Sequence, residues 1–291
     1  MKNLVLINPV LVIQKDDFWG SGIPYMPHIL AYTAGLLKKH KFEIKVIDAF
    51  GLNPNKLTKH NDFYWQGLEI DEVIELVDAK TDVVFVYASA ITNVDFNLLL
   101  VKKIKNVFPK IMVVLLGNTQ AVTSFDVIML GKSFFEAGVE LIVYNDIERT
   151  VLKLGENDLK ANENILYKDG KKIIKKPMSL RIGETGELMI PAWEEFPLDN
   201  YWKLGYAHGP MQGKYLAILT SYGCPYCCRF CVNPGVNKSR WQAKRASLVF
   251  DAMRYLVRRF GVHGCRCLFS CLTNFNISIC GILCHLFLLP L

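Results

Sequence analysis

The sequence predicts an α/β fold whose first half is a doubly wound parallel sheet. Two observations carry this. Short β-branched runs alternate with stretches of helical spacing, five of each, and parallel strands need crossover helices that cover both faces of the sheet. The chain is also long enough, at 291 residues and 51% hydrophobic, to bury a sizeable core, and two domains are natural at this length. That composition excludes disorder as the main state.

The elements follow in order. Leu4 to Ile7, Ile44 to Ile47, Val83 to Tyr87, Met112 to Leu116 and Glu140 to Val143 are the expected buried strands. Residues 28–39, 70–78, 95–107, about 121–135 and 147–154 carry helical spacing and complete a first domain over 1–154. Residues 155–212 change character: ILYKDGKKIIKKP predicts a hairpin turning at Asp169 and Gly170, and the Pro-punctuated IPAWEEFPLDNYW predicts a connector running over the surface. The lysines at 171, 172, 175 and 176 fit the exposed face of that hairpin. A strand-like Tyr215 to Leu219 then opens a third region, 213–263. Within it, residues 247–262 form an amphipathic helix with Leu248, Val249, Ala252, Leu256 and Phe260 on one side.

Charge and cysteine usage narrow the function classes. The formal net charge is +7, and nine basic residues between Arg229 and Arg266 face Asp251 alone. No nucleic-acid-binding motif accompanies this stripe, so a solvated helix face is the expected reading and nucleic acid is not an expected partner. All nine cysteines fall between Cys224 and Cys284, and the N-terminus lacks an export signal. A reducing cytoplasm is therefore expected, with the thiols read as metal ligands rather than bridges.

Ligands of doubly wound sheets sit at the carboxyl ends of the strands, near the switch in strand order. The residues there are Asn8 and Pro9, Asp48, Ala88 to Thr92, and Gly117 to Thr119, with Asn8, Ser89, Thr92 and Gly117 the candidates for cofactor contact. Ordinary turn chemistry is the alternative for the same positions. No dinucleotide glycine fingerprint and no P-loop follows the first strand, which weakens nicotinamide and nucleoside-triphosphate readings.

The strongest motif is TSYGCPYCCRFC at 220–231. Cys224, Cys228 and Cys231 lie close enough along one loop to converge on an iron–sulfur cluster, leaving one iron open to a non-protein ligand. Three other readings compete. Cys224-Pro-Tyr-Cys227 is also a C-x-x-C dithiol of glutaredoxin type, but no suitably placed proline strand follows it. Zinc would require two abutting C-x-x-C pairs to close a tetrahedron, an awkward geometry. A buried group of inert thiols fits poorly with Gly223, Pro225 and Arg229, which mark an exposed loop.

This motif resembles the signature of the radical S-adenosylmethionine superfamily, C-x3-C-x-aromatic-C, with Phe230 in the aromatic position. The preceding sequence resembles the subgroup with an N-terminal, Rossmann-like cobalamin-binding domain. The supporting stretches are INP at 7–9, IPYMPHILAYTAGLLKKHKFEIKVIDAFG at 23–51, DVVFVYASAIT at 82–92, VVLLGN at 113–118, NDIE at 145–148 and the connector, so that the resemblance covers positions 3 to about 263. It implies that Cys224, Cys228 and Cys231 hold a 4Fe-4S cluster and that Phe230 lies near the adenine of S-adenosylmethionine. The reduced cluster would cleave the sulfonium to a 5′-deoxyadenosyl radical. Cys227 would be a bystander. It also implies the start of a β/α barrel after residue 212, a small-molecule or lipid-like substrate, and an electron donor such as flavodoxin or ferredoxin.

The sequence departs from the subgroup at several points. Asn118 replaces the second glycine of a Gly-Gly pair, Lys41 stands where glycine is common, and there is no Asp-x-His-x-x-Gly to offer a cobalt ligand. His28, His40, His60 and His208 are expected to be surface or turn residues. From Cys267 to Leu291 no Asp, Glu, Lys or Arg occurs, and five cysteines fall at 265, 267, 271, 280 and 284. Region 264–291 fits neither an amphipathic helix nor a barrel, which leads us to expect a truncation or a change of reading frame near residue 264. A membrane anchor and a second metal site are weaker alternatives for this tail. The expected function is that of a cobalamin-dependent radical enzyme performing methyl transfer or carbon-skeleton modification on an incomplete chain. A non-catalytic cobalamin or small-ligand module with a vestigial cluster loop is the alternative, followed by a glutaredoxin-like oxidoreductase.

Overall fold

The computed structural model describes residues 2–17, 22–119, 124–155, 163–179, 189–205, 213–229, 231–262 and the strand at Gly264–Leu268. Phe230, His208 and the tail beyond 268 lie outside the described residues.

Strands β1 (Asn3–Asn8) and β2 (Leu11–Gln14) are followed by helix α1 (His28–Lys39), strand β3 (Glu43–Asp48) and the short α2 (Ala49–Leu52). Pro27 precedes α1, and Lys38 and Lys39 occupy its last turn, where cations oppose the carbonyl end of the helix. Lys41 then takes φ +63°. This left-handed turn suits glycine, so the lysine costs about 1 kcal/mol.

Strands β4 (Leu57–His60) and β5 (Phe63–Gln66) lead into α3 (Ile70–Glu75), where Glu69 and Glu72 form a reciprocal capping box. Strand β6 (Val83–Ala88), helix α4 (Val94–Val107), strand β7 (Met112–Gly117), helix α5 (Gly131–Ala137), strand β8 (Leu141–Val143) and helix α6 (Ile147–Gly155) complete the alternation. Helix α5 begins later than the spacing predicted. Asp126 caps a separate 3-10 turn over Val127–Leu130 by accepting from the Ile128 N–H at 3.0 Å, and Gly131 starts the helix proper.

Strands β9 (Ile165–Asp169) and β10 (Lys172–Lys175) form the predicted hairpin around Gly170, whose φ is +57°. The hairpin continues the main sheet, because β9 pairs antiparallel with β8. The seven strands run in the order β10-β9-β8-β7-β6-β1-β3, parallel from β3 to β8. A second, antiparallel sheet of order β2-β5-β4 was not anticipated from the sequence. Its strands are four residues each, too short for periodicity to distinguish from loops.

Side chains on the strands alternate between two cores. Leu4, Leu6 and Phe85 face α1 and α6, while Val5, Ile7, Val84 and Val86 face α3, α4 and α5. The first core also takes in the connector. Trp193 is 0% exposed, Phe196 and Leu198 are buried, and Tyr201 belongs to α7 (Leu198–Leu204). The surface path expected for the connector is therefore wrong. Its aromatic residues fill the space between α1 and the next unit, and the Ala192 N–H donates to the Ala31 carbonyl at 2.9 Å. Gly35 permits the crossing, since a Cβ there would fall on the Ile190 carbonyl oxygen.

The next unit opens with β11 (Tyr215–Leu219) and β12 (Ser221–Gly223), then α8 (Asn233–Asn237), β13 (Trp241–Ala243), α9 (Ala246–Phe260) and β14 (Gly264–Leu268). Ala252 and Leu256 bury the predicted face of α9. Strand β14 pairs parallel with β11, giving one strand–helix–strand unit, so the first residues of region 264–291 take part in a sheet. No helix among the described residues is long and apolar enough to cross a membrane.

Candidate functional site

The parallel strand order β3-β1-β6-β7-β8 reverses between β1 and β6. A crevice is expected at the carboxyl ends of that pair. A cavity of about 340 Å³ lies there, lined by residues 8–11 from the end of β1 onward, Ser89 to Asn93 after β6, residues 23–28 leading into α1, and Phe50, Tyr87 and Asn118. None of the described residues that line it is Asp, Glu, Lys or Arg. Burial, with a smaller contribution from the Glu148 charge, raises the Tyr87 phenol pKa and keeps it neutral.

Of the four sequence candidates, Asn8, Ser89 and Thr92 line the cavity, and Gly117 does not. Gly117 instead packs closely, since a Cβ there would lie 3.1 Å from Val127 and 3.3 Å from the Val143 carbonyl. The neighbouring Asn118 reaches the cavity, and its amide donates to the Ser89 carbonyl at 2.7 Å. The Ser89 hydroxyl donates to the Asn93 side chain at 3.1 Å, and the Asn93 amide donates to the Val10 carbonyl. These polar groups therefore fix the loops around the cavity.

Asn8 is held behind the cavity by the register that pairs it with Asp48. Its amide donates to Asp48 Oδ1 at 2.8 Å, the Gly51 N–H donates to the same oxygen at 2.9 Å, and the Tyr201 hydroxyl donates to Oδ2 at 2.8 Å. Burial raises the Asp48 pKa, and the three donors only partly oppose this. The folded state thus holds the proton more tightly than the unfolded chain. Stability is fully present below the ordinary carboxylate pKa and is lost as pH rises towards the raised folded value. Asp48→Asn keeps the acceptor for Asn8 and Gly51 and can donate to the Tyr201 oxygen. We expect it to remain folded and to lose this pH dependence in urea titrations. A steeper loss of stability with pH would contradict the assignment.

His28 departs from expectation. It is 3% exposed and lines the cavity, whereas His40 is exposed. Burial lowers its pKa to about 4, so the ring is neutral near physiological pH. The sequence marked His28 only as a histidine beside Pro27, and the signal that could have flagged it was its place at the start of an otherwise apolar helix.

The cysteine loop runs from the end of β12 to α8. Gly223, at φ +73°, brings the chain against the Arg240 carbonyl, and no side chain fits there. Cys224 is buried, while Cys227, Cys228 and Cys231 are exposed. The Cys231 N–H donates to the Cys228 carbonyl at 3.1 Å, and Cys231 Sγ accepts from the Asn233 N–H at 3.4 Å. Cys227 Sγ lies 3.0 Å from the Ser239 hydroxyl. Among the described residues no three side chains are gathered tightly enough to hold a single metal ion. The Cys224–Cys227 pair precedes α8 by several residues, rather than standing at its first turn as the pair of a dithiol oxidoreductase would.

Two contacts tie this loop unit to the first domain, just after β8 and on α1, and a third ties it to the connector helix α7. The Asn145 amide donates to the Val236 carbonyl at 2.6 Å, the Leu219 N–H donates to the Tyr32 hydroxyl at 3.1 Å, and the Trp202 indole donates to the Tyr215 carbonyl at 2.7 Å. The Lys244 ammonium sits 4.6 Å from the Tyr32 ring and 5.5 Å from that of Tyr222. Cavity and cysteine loop therefore occupy the same edge.

This is an α/β protein with a mostly parallel seven-stranded sheet, bearing a switch-point cavity and a tethered cysteine loop. The chain is similar in sequence to methyltransferases, and it spans about half the length of the relatives it matches. It is 23% identical over 268 residues to an uncharacterized methyltransferase of Pyrococcus horikoshii, covering 90% of this chain and 52% of that one. It is 20% identical over 287 residues to the cytidylyl-2-hydroxyethylphosphonate methyltransferase of Streptomyces wedmorensis, covering 90% and 53%. Its fold is similar to that of the radical S-adenosylmethionine methyltransferase TsrM of Kitasatospora setae. With tryptophan and a S-adenosylmethionine analogue bound to that enzyme, the TM-score is 0.63 at 17% identity, over 96% of this chain and 49% of the other. With cobalamin and a [4Fe-4S] cluster bound to it, the TM-score is 0.60. No family model matches the chain.

Proposed function

We propose that this chain is the cofactor-binding portion of a cobalamin-dependent radical S-adenosylmethionine methyltransferase. The observation that carries the reading is the shared edge: a neutral, aromatic-lined cavity at the strand-order switch, with a three-thiol loop tied beside it through Asn145 and Tyr32. The residues fit the two groups in different ways. At about 340 Å³ the cavity lies near the lower end of the roughly 300–1,000 Å³ typical of small-molecule sites, so it would enclose one uncharged part of a corrinoid. Cys224, Cys228 and Cys231 supply the soft donors that an iron–sulfur cluster requires.

In this reading the three thiolates hold the cluster, and Phe230 lies against S-adenosylmethionine. When bound, the cluster supplies an electron to S-adenosylmethionine and the corrinoid supplies a methyl carrier. The protein's own part is positional. Asn118 and Asn93 brace the cavity loops, Asn145 holds the cysteine loop against the sheet, and the apolar lining excludes water. The substrate would be a small or lipid-like molecule, and a flavodoxin or ferredoxin would deliver electrons.

Reconstitution of the full chain under anaerobic conditions with iron, sulfide and hydroxocobalamin tests this reading. Retention of both groups through gel filtration is the expected result, followed by cleavage of added S-adenosylmethionine on reduction. A folded chain that retains neither would refute the reading. Retention without cleavage would favour the binding-module alternative.

A further inference from the structure

The cysteine loop lies in the connection between β12 and β13, which pair antiparallel from Ser221 opposite Ala243 to Gly223 opposite Trp241. Its position is therefore set at the base of that pair. Tyr32, on α1 and 1% exposed, touches the base on both sides. Its hydroxyl accepts from the N–H of Leu219, the last residue of β11, at 3.1 Å, and its ring lies 4.6 Å from the ammonium of Lys244, the residue after β13. The Lys244 N–H closes the base by donating to the Thr220 carbonyl at 2.9 Å.

The same helix borders the cavity. His28, the first residue of α1, lines it, and four residues of helix rise only about 6 Å, so Tyr32 stands one turn away on the same rigid element. The other two ties of the loop unit start from elements that do not line the cavity, since Asn145 follows β8 and Trp202 belongs to α7. For packing alone a phenylalanine would serve at position 32, because a buried hydroxyl is kept without loss only where it is hydrogen-bonded. We infer that Tyr32 is a positioning residue that pins the base of the cysteine loop at a fixed distance from the switch-point cavity, and so sets the spacing of the groups the two sites hold. For the identity of those groups the inference rests on the reading above, a corrinoid in the cavity and an iron–sulfur cluster on the loop. The pin itself does not depend on that reading.

The test uses the full chain with Tyr32→Phe, which keeps the ring and removes the hydroxyl, and Tyr32→Leu, which removes both holds. In the unloaded chain, hydrogen exchange followed by NMR should show the Leu219 amide exchanging roughly tenfold faster or more in Tyr32→Phe, by a larger factor than the Leu6 amide of β1. An unchanged rate at Leu219, or a rise no larger than that at Leu6, would overturn the inference and make Tyr32 an ordinary core residue. After anaerobic reconstitution with iron, sulfide and hydroxocobalamin, and reduction to cob(II)alamin and the one-electron-reduced cluster, pulsed dipolar electron paramagnetic resonance reads the distance between the two spins. A narrow distribution is expected for wild type and a broader or displaced one for Tyr32→Leu, with iron and corrinoid per chain unchanged. Should Tyr32→Leu load poorly, Tyr32→Phe is measured in its place with the same outcomes. An unchanged distribution in the loaded variant would overturn the inference and leave the two-cofactor reading standing. If the wild-type chain does not hold both groups, that reading fails, and the exchange rates alone decide the role of Tyr32.

Discussion

Cys228→Ala is expected to lose nearly all iron and sulfide on anaerobic reconstitution, while Cys227→Ala keeps its full complement. The two residues are adjacent, both exposed and chemically identical, so the spacing of the ligand set is the main thing that separates them. Removing Cys228 leaves two thiolates of the proposed three. Cys227 is poorly placed to substitute, because its sulfur lies against the Ser239 hydroxyl at 3.0 Å. The measurement is iron and acid-labile sulfide per chain, with the visible charge-transfer absorption as a second readout. The reverse outcome, loss in Cys227→Ala and retention in Cys228→Ala, would replace the three-thiol assignment with one built on Cys227.

Trp193→Ala should be the most destabilising single change in the connector, by about 3–5 kcal/mol in urea unfolding. The indole is fully buried and packs edge-on against Phe196, with ring centroids 5.5 Å apart. Its core cluster includes Leu4 and Leu6 of the first sheet, Leu30 of α1, and Tyr215 to Ile218 and Leu256 of the next unit. The void left by alanine would therefore open between the two halves. Against a typical domain stability of about 5–15 kcal/mol this is a large share. Trp193→Phe should cost much less, since the indole N–H has no partner among the described residues and nothing polar is broken. If phenylalanine proved as damaging as alanine, the role of Trp193 would not be volume.

The sequence was most legible where strands are buried on both faces. Leu4 to Ile7, Val83 to Tyr87 and Met112 to Leu116 are continuous apolar runs, and each is a strand within a residue of its expected ends. The connector misled because its prolines and acidic residues carry the marks of a surface loop. Lys38 shows why this was misleading: it pairs with Glu194 at 2.7 Å and Glu195 at 2.5 Å, which leaves Trp193 and Phe196 to turn inward. The candidate site was legible by position but not by role. Asn8 and Gly117 stand at strand ends; one braces Asp48 and the other makes room for Val127. His28 is not legible as a cavity residue because the composition of a helix does not reveal which of its residues borders a crevice that strand order creates.

The hairpin at the far margin of the main sheet bears on how the molecule behaves in a crowded solution. Among the described residues strand β10 is the outermost strand, with no neighbour on its outer side, and such an edge is a template for any extended chain that drifts past. Lys172 and Lys175 stand exposed on that strand, with Lys171 beside it in the turn. A second molecule adding there would have to bring like charges together and strip water from several ammonium groups. The same two strands that widen the sheet thus also discourage its growth from one molecule to the next, and replacing those lysines with valine or threonine would invite fibrous aggregation at that margin.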